Sequence, residues 1–444
     1  MAGGRATALP DRIAVVGFGY IGAVIGAVLS DRGFTVVGID PSGRTRAAVA
    51  SGRSPVREPG LDELIARGVA AGRLSITDDA AAVASCGTVL IAVGTPLSSV
   101  GDADVSQLES AASSIAPHLS EGQLVVLKST VPPGCTAEIM APILRSTAHV
   151  HVAFCPERLA EGRAIEEFLS LPVVVGGVDD ASTNAAAVFW RRALDVEVVP
   201  VSSSLGAELV KLADNLWIDL NIALANELAL LCDRLGDVDV VEVIKAANTL
   251  PKVDHHVNIL MPSIGVGGYC LTKDPWFVHK MGSDLGLDLR TPVVSRAVND
   301  AMTAHAADLI DRAIGGPERG PHVAILGAAF KSDTGDCRFT PAAPVIEELL
   351  KRGYRVTVHD PFVDPEEAER ILPVPLTGEL AATVRGADCV AFFTGHRQFR
   401  EIPVAWLAEQ LAPGALVFDG RMYFDRETIR EITDHGLRFK GVGR

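Results

Sequence analysis

Cys270 stands in the run Gly265-Val266-Gly267-Gly268-Tyr269-Cys270-Leu271-Thr272-Lys273-Asp274-Pro275-Trp276. A thiolate beside a cation is a strong nucleophile. A lysine, Lys273, and a carboxylate, Asp274, stand three and four residues on. Glycines let the backbone bend sharply and let a ligand approach closely. A free cysteine is also often only a small buried hydrophobe, and the loop by itself leaves both readings open. A second set of residues is Gly17-Phe18-Gly19-Tyr20-Ile21-Gly22, which follows an apolar run and opens a helical pattern. Such glycines seat a pyrophosphate on a helix N-terminus. Asp40, eighteen residues past Gly22, ends the next strand pattern. A carboxylate there accepts ribose hydroxyls and repels a 2′-phosphate, which favours NAD over NADP.

A third set resembles the second but has one glycine where that set has three: Gly327-Ala328-Ala329-Phe330-Lys331. A dinucleotide would be crowded there. Lys331 is placed either for the phosphate of a different nucleotide or for a surface ion pair. Lys211 and Asn215 lie four apart on a helical pattern and share a face. They suit either solvent or a developing oxyanion. A dinucleotide site, a second nucleotide site and a poised thiol together point to oxidation through a covalent sulfur intermediate.

The elements that must position these groups alternate along the chain. The spacing predicts strands at 12–16 and 35–39 around a helix at 20–32, then strands at 88–93, 124–128, 150–154 and 172–175. Strands alternating with helical stretches predict a mostly parallel sheet covered by helices. From 204 to 248 leucines recur at helical spacing, more densely than one buried face requires, so a long crossing helix covered by other helices or a second subunit is expected. Gly315-Gly316-Pro317 breaks the helical region. A second unit follows, with strands at 322–326, 354–358, 389–393 and 416–419 and a helix at 341–352. The expected fold class is therefore α/β, with two Rossmann-like parallel sheets joined by a mainly helical part. The expected domains are 1–200, 201–316 and 317–444.

Composition narrows the partners. The 444 residues carry a net charge of −15, which argues against nucleic acid but not against one small anionic ligand. Residues 1–10 have no apolar core of a secretory signal, and no apolar run is long enough to span a membrane. Seven scattered cysteines without a CxxC pair fit reduced thiols in a cytoplasm rather than disulfides or a zinc site.

Several ordered motifs resemble the UDP-glucose/GDP-mannose dehydrogenase family, the nucleotide-sugar 6-dehydrogenases. They are Gly17 to Gly22, Val93-Gly94-Thr95-Pro96, Lys128 to Gly134, Cys155 to Gly162, Lys211 with Asn215, the Cys270 loop, Phe330-Lys331-x-Asp333-x-x-Asp336-x-Arg338, and Asp419-Gly420-Arg421. The resemblance implies a four-electron oxidation of a sugar C6 alcohol to a carboxylate, with two NAD reduced. It makes Cys270 the carrier of a thiohemiacetal and then a thioester, and Asp274 the base, with Thr130 and Glu157 aiding hydrolysis. Lys211 and Asn215 would stabilise negative oxygen. NAD would be held by Gly17, Gly19, Tyr20, Ile21, Gly22, Asp40, Thr95 and Thr130, with Arg338 reaching the cofactor side. The UDP-sugar would meet Glu157, Glu161, Lys211, Asn215, Gly267, Gly268, Lys331 and Arg421. A homodimer, or a larger oligomer built from dimers, serving polysaccharide biosynthesis is implied.

Residues 221–229, 247–249 and 274–277 look like the N-acetylmannosamine branch, whereas 156–162 and 333–336 look like the glucose branch. The segment 251–264 departs from both. The expected substrate is UDP-N-acetyl-D-mannosamine, with UDP-glucose, UDP-N-acetylglucosamine and GDP-mannose as alternatives. A non-enzymatic NAD-binding redox sensor would have lost one or more of the catalytic partners, yet all are present.

Overall fold

The computed structural model describes residues 11–96, 104–253 and 255–444. Residues 1–10, read above for a secretory signal, and Asp254 of the unusual 251–264 segment lie outside the described residues. The chain divides into two compact units, Met1–Ala213 and Asp214–Arg444.

The first unit is built on an eight-stranded sheet: β1 Arg12–Val16, β2 Thr35–Ile39, β3 Leu74–Thr77, β4 Thr88–Ile91, β5 Leu124–Leu127, β6 His151–Phe154, β7 Val173–Gly177 and β8 Val198–Pro200. Their order is β3-β2-β1-β4-β5-β6-β7-β8. All neighbours run parallel except β6 and β7. The central strands are buried on both faces, as the continuous apolar runs Ile13–Val16 and Val89–Ile91 require. The order reverses between β2-β1 and β4, so the crevice beyond the C-terminal end of β1 is the switch point where ligands of such sheets bind. The glycine turn sits there. β3 and β8 were not expected, because Leu74-Ser75-Ile76-Thr77 and the three residues of β8 carry too little apolar pattern.

The second unit carries five parallel strands: β11 His322–Leu326, β12 Arg355–His359, β13 Cys389–Phe392, β14 Leu416–Asp419 and β15 Arg438–Gly441, in the order β12-β11-β13-β14-β15. A two-stranded hairpin, β9 Pro251–Lys252 and β10 His255–His256, projects its residues into solvent. One 32-residue helix, Ser204–Leu235, continues across the boundary between the units. Its Ala207 belongs to the first unit's core and its Ala225, Ala229 and Cys232 to the second's. Trp217, Leu220, Leu224 and Leu231 remain exposed along it.

His322 opens β11, an interior strand of the second sheet, and is buried. Its Nε2 lies 2.7 Å from the Thr357 hydroxyl. That hydroxyl donates onward to the Thr383 carbonyl at 2.9 Å, so the imidazole carries its proton on Nε2. Its Nδ1 meets no hydrogen-bond partner among the described residues. Burial, and then the charge of Arg355, hold its pKa down at about 4. The unfolded chain protonates this group near pH 6.5, so the stability it confers is intact above that pH and is lost as pH falls toward 4. The loss is on the order of 2–3 kcal/mol. Urea midpoints at pH 7 and pH 4.5 are expected to differ less in His322→Leu than in the native chain.

Candidate active site

In the first unit the glycine turn has the geometry that its spacing implies. Gly17 takes φ +85° and its N–H donates to the Ile39 carbonyl at 2.9 Å. A Cβ on Gly22 would overlap the Gly17 carbonyl, so the helix Tyr20–Asp31 approaches the turn as closely as it does only because Gly22 has no side chain. Space beside Gly19, at the N-cap, is open. The Asp40 carboxylate accepts from Phe18 N–H at 2.7 Å and Ser42 N–H at 2.8 Å. Its oxygens keep further lone pairs for ribose hydroxyls. Ile21 packs on the core beneath the helix. These residues fit NAD: an open helix N-terminus for the pyrophosphate and a carboxylate for the ribose.

The loops after β4, β5 and β6 hold the unit's other predicted residues. Thr95 donates to the Thr130 carbonyl at 2.7 Å. Glu157 is buried, with one oxygen accepting from Leu159 N–H at 2.8 Å and the other 3.3 Å from the Lys128 ammonium. Lys128 in turn lies over the Trp190 ring. Glu161 contributes to the field that raises the Tyr20 phenol. Lys211, on the long helix, is only 9% exposed, and its ammonium has no hydrogen-bond or ion-pair partner among the described residues. A largely covered cation of this kind suits an anion or a developing oxyanion.

In the second unit Gly268 caps the helix Tyr269–Asp284, which puts Cys270 in its first turn. Cys270 is exposed, whereas the other six cysteines are buried. Pro275 interrupts the helix and has no N–H for the Leu271 carbonyl. Arg296 supplies the missing donor to that carbonyl, at 3.3 Å. Arg296 is held by Asp219, which also accepts from Ser295 and Asn299. Asn299 then accepts from Asn226, whose own oxygen takes Ser263 N–H at 2.9 Å. The Cys270 loop is therefore fastened on both sides by a buried polar network. Sequence reading missed Asp219, Asn226, Arg296 and Asn299. The signal for Asp219 and Asn226 was their seven-residue spacing on one face of the long helix; Arg296 and Asn299 carried none.

Asp274 is fully buried one turn after Cys270. Its carboxylate accepts from the Lys273 ammonium at 2.7 Å and from Asn215 Nδ2 at 2.5 Å. Lys273 is itself buried and packs against the Phe277 and Tyr269 rings. Asn215 and Asp274 are thus brought together, and Lys273, read from the sequence as the cation near the thiol, pairs with Asp274.

A cavity of about 370 Å³ opens beside the loop. Gly265, Gly267, Lys331, Arg421 and the unforeseen Arg400 line it. Arg421 donates to the Phe330 carbonyl at 3.1 Å. Arg400 lies over the Tyr423 ring. Gly267 and Gly268 are pressed against the turn that carries Lys331: a Cβ on Gly267 would come 2.7 Å from Phe330 Cβ and 2.8 Å from the Phe339 carbonyl. Gly267→Ala is therefore expected to raise the KM for the nucleotide sugar roughly tenfold or more by displacing the loop, with NAD affinity unchanged. Steady-state kinetics with each substrate varied would show it. Arg338 pairs with Asp336 and stacks on Tyr269.

The second sheet's nucleotide turn explains its altered glycines. The Asp360 carboxylate accepts from Ala328 N–H at 2.7 Å and Ala329 N–H at 2.9 Å, and from Phe362, Val363 and His396. Burial raises its pKa, but these hydrogen bonds outweigh that and bring it below the usual carboxylate value. The amides that could receive a pyrophosphate are already taken by the protein's own carboxylate.

Against known proteins, residues 11–193 match the NAD binding domain of the UDP-glucose/GDP-mannose dehydrogenase family, 206–301 its central domain and 324–426 its UDP binding domain. The chain belongs to this family. It is an NAD-dependent nucleotide-sugar dehydrogenase. It is 33% identical to the UDP-N-acetyl-D-mannosamine dehydrogenase of Pyrococcus horikoshii, over 98% of this chain and 99% of that one. It is 34% identical to the UDP-glucose 6-dehydrogenase of Rhizobium meliloti, again over 98% and 99%. Among solved structures, the UDP-glucose dehydrogenase of Pyrobaculum islandicum superposes with a TM-score of 0.87 at 32% identity, over 98% of each chain. The glycine turn of the first unit lies in the NAD binding domain, and Lys331 and Arg421 lie in the UDP binding domain. Among the described residues no helix is long and apolar enough to cross a membrane, and no cluster of potential metal ligands occurs.

Proposed function

We propose that the chain oxidises the C6 hydroxyl of a UDP-sugar to a carboxylate in two steps, with UDP-N-acetyl-D-mannosamine as substrate. The observation that carries this reading is the exposed Cys270 one helical turn before a buried Asp274 whose carboxylate Lys273 and Asn215 hold in place. NAD, when bound, supplies the hydride acceptor for each oxidation. Asp274 takes the C6 hydroxyl proton through a water. The Cys270 thiolate adds to the aldehyde carbon, and the resulting thiohemiacetal is oxidised to a thioester. Lys211 and Asn215 stabilise negative oxygen at C6. Thr130, Glu157 and Asp274 assist the water that releases the acid, and Glu161 supports the sugar. Lys331 and Arg421 neutralise the diphosphate, and Gly267 and Gly268 let it approach the backbone. Thr95 and Arg338 are assigned to the cofactor side.

The proposed division of labour is an NAD domain over 1–200, a central dimerisation domain over 201–316 and a UDP-sugar domain over 317–444. The exposed Trp217, Leu220, Leu224 and Leu231 support a homodimer, or a larger oligomer of dimers, formed on the long helix. The setting is cytoplasmic polysaccharide biosynthesis. The similarity to the Rhizobium meliloti enzyme favours a second reading, UDP-glucose, by the same chemistry.

The test is NADH formed per sugar over UDP-N-acetylmannosamine, UDP-glucose, UDP-N-acetylglucosamine and GDP-mannose. Two NADH per UDP-N-acetylmannosamine, at a kcat/KM above that of the other three, is the expected result. A higher kcat/KM on UDP-glucose would move the assignment to the second reading. One NADH per sugar on every substrate would remove the two-step chemistry.

A further inference from the structure

We infer that Glu58 is a positioning residue that ties the NAD turn to the acidic loop at 157–164. Glu58 precedes the helix Leu61–Ala70 and belongs to no motif read from the sequence. Its side chain is 7% exposed, yet its carboxylate is fully engaged. Oε2 accepts from the Tyr20 hydroxyl at 2.5 Å and from Gly162 N–H at 2.7 Å. Oε1 accepts from Ala164 N–H at 2.8 Å. Hydrogen bonds to an ionised acceptor are short and stiff, so these three donors move with the carboxylate or lose it.

The two ends of this clamp matter for different ligands. Tyr20 is the first residue of the helix behind the glycine turn, so its backbone faces the pyrophosphate while its side chain runs inward to Glu58. Burial, then the bond to Glu58 and the charges of Glu58 and Glu161, push the phenol far above its ordinary pKa, so it stays a donor at every working pH. At the other end Gly162, at φ +84°, closes the loop that bears Glu157 and Glu161. NAD settling on the turn fixes Tyr20, Tyr20 fixes Glu58, and Glu58 fixes the two amides that end the acidic loop. The link to sugar binding rests on the proposed roles of Glu157 and Glu161; the link from NAD to the loop does not.

Amide hydrogen exchange of the full chain with and without NAD tests the clamp directly. Exchange at Gly162 and Ala164 is expected to slow about fivefold or more on adding NAD. In Tyr20→Phe, which leaves Glu58 its two backbone donors, exchange measured with NAD at saturation should no longer slow. Glu58→Gln is expected to raise the KM for NAD and for the nucleotide sugar together by roughly tenfold, with kcat within about threefold. Protection at Gly162 and Ala164 that ignores NAD, or that survives in Tyr20→Phe, would overturn the clamp. So would a Glu58→Gln variant with a lower thermal midpoint and both KM values unchanged. If no nucleotide sugar is oxidised, the proposed reaction fails while the exchange experiment still decides the clamp.

Discussion

Cys270→Ser is expected to oxidise its sugar once and then stall. A serine hydroxyl is protonated at working pH and adds weakly to an aldehyde, and an oxygen ester releases acid more slowly than a thioester. Steady-state formation of the acid should fall by roughly 10³-fold, equivalent to about 4 kcal/mol of barrier. With enzyme in excess, stopped-flow absorbance should show at most one NADH per sugar where the native chain gives two. Two NADH at the native rate would remove Cys270 from the chemistry. The thiol can also be addressed selectively. Burial raises the pKa of Cys86, Cys135, Cys155, Cys232, Cys337 and Cys389, to about 11 for Cys155 and about 12 for Cys135 and Cys337. Iodoacetamide should therefore label exposed Cys270 first, with loss of activity in step with labelling.

That contrast settles an ambiguity the sequence could not. Seven cysteines look alike as letters, and burial separates them. The features legible in advance were those written in local spacing: the glycine turn, Asp40 at the end of β2, the alternation that builds two parallel sheets, and the pair Lys211 and Asn215 on one helix face. The features that escaped depend on partners far apart in the chain. Glu58 meets Gly162 from 104 residues away, and Asp219 meets Asn299 from 80. No periodicity marks such pairs, because a buried carboxylate needs only some donor and not a donor at a given interval. β15, Arg438-Phe439-Lys440-Gly441, escaped because a strand at a sheet edge need not be apolar. The crowded second turn was readable as a departure from the first, but the reason, Asp360 taking the amides of Ala328 and Ala329, needed the fold.

Asp274→Asn should damage stability and catalysis together, and the two effects can be pulled apart. The substitution keeps the shape and a hydrogen-bond acceptor but removes the base, which should lower kcat by about 10²–10⁴-fold. It also leaves the Lys273 ammonium buried without its counter-charge. Removing one partner of a buried pair costs roughly 3–5 kcal/mol, a fall of the order of 6–12 °C in the thermal midpoint of a unit this size. Lys273→Met in the same chain would then remove the stranded charge, and a methionine can pack on the Phe277 and Tyr269 rings that Lys273 now covers. The double variant should regain most of the lost stability while remaining inactive. Recovery of activity along with stability would show that Asp274 serves only to neutralise Lys273, and the base would have to be sought elsewhere. A thermal midpoint unchanged in Asp274→Asn would show that Lys273 finds another partner or sheds its proton. The pair is then best understood as a support that catalysis borrows. Lys273 holds one Asp274 oxygen and Asn215 the other, so the carboxylate cannot turn while each oxygen keeps a lone pair for a proton.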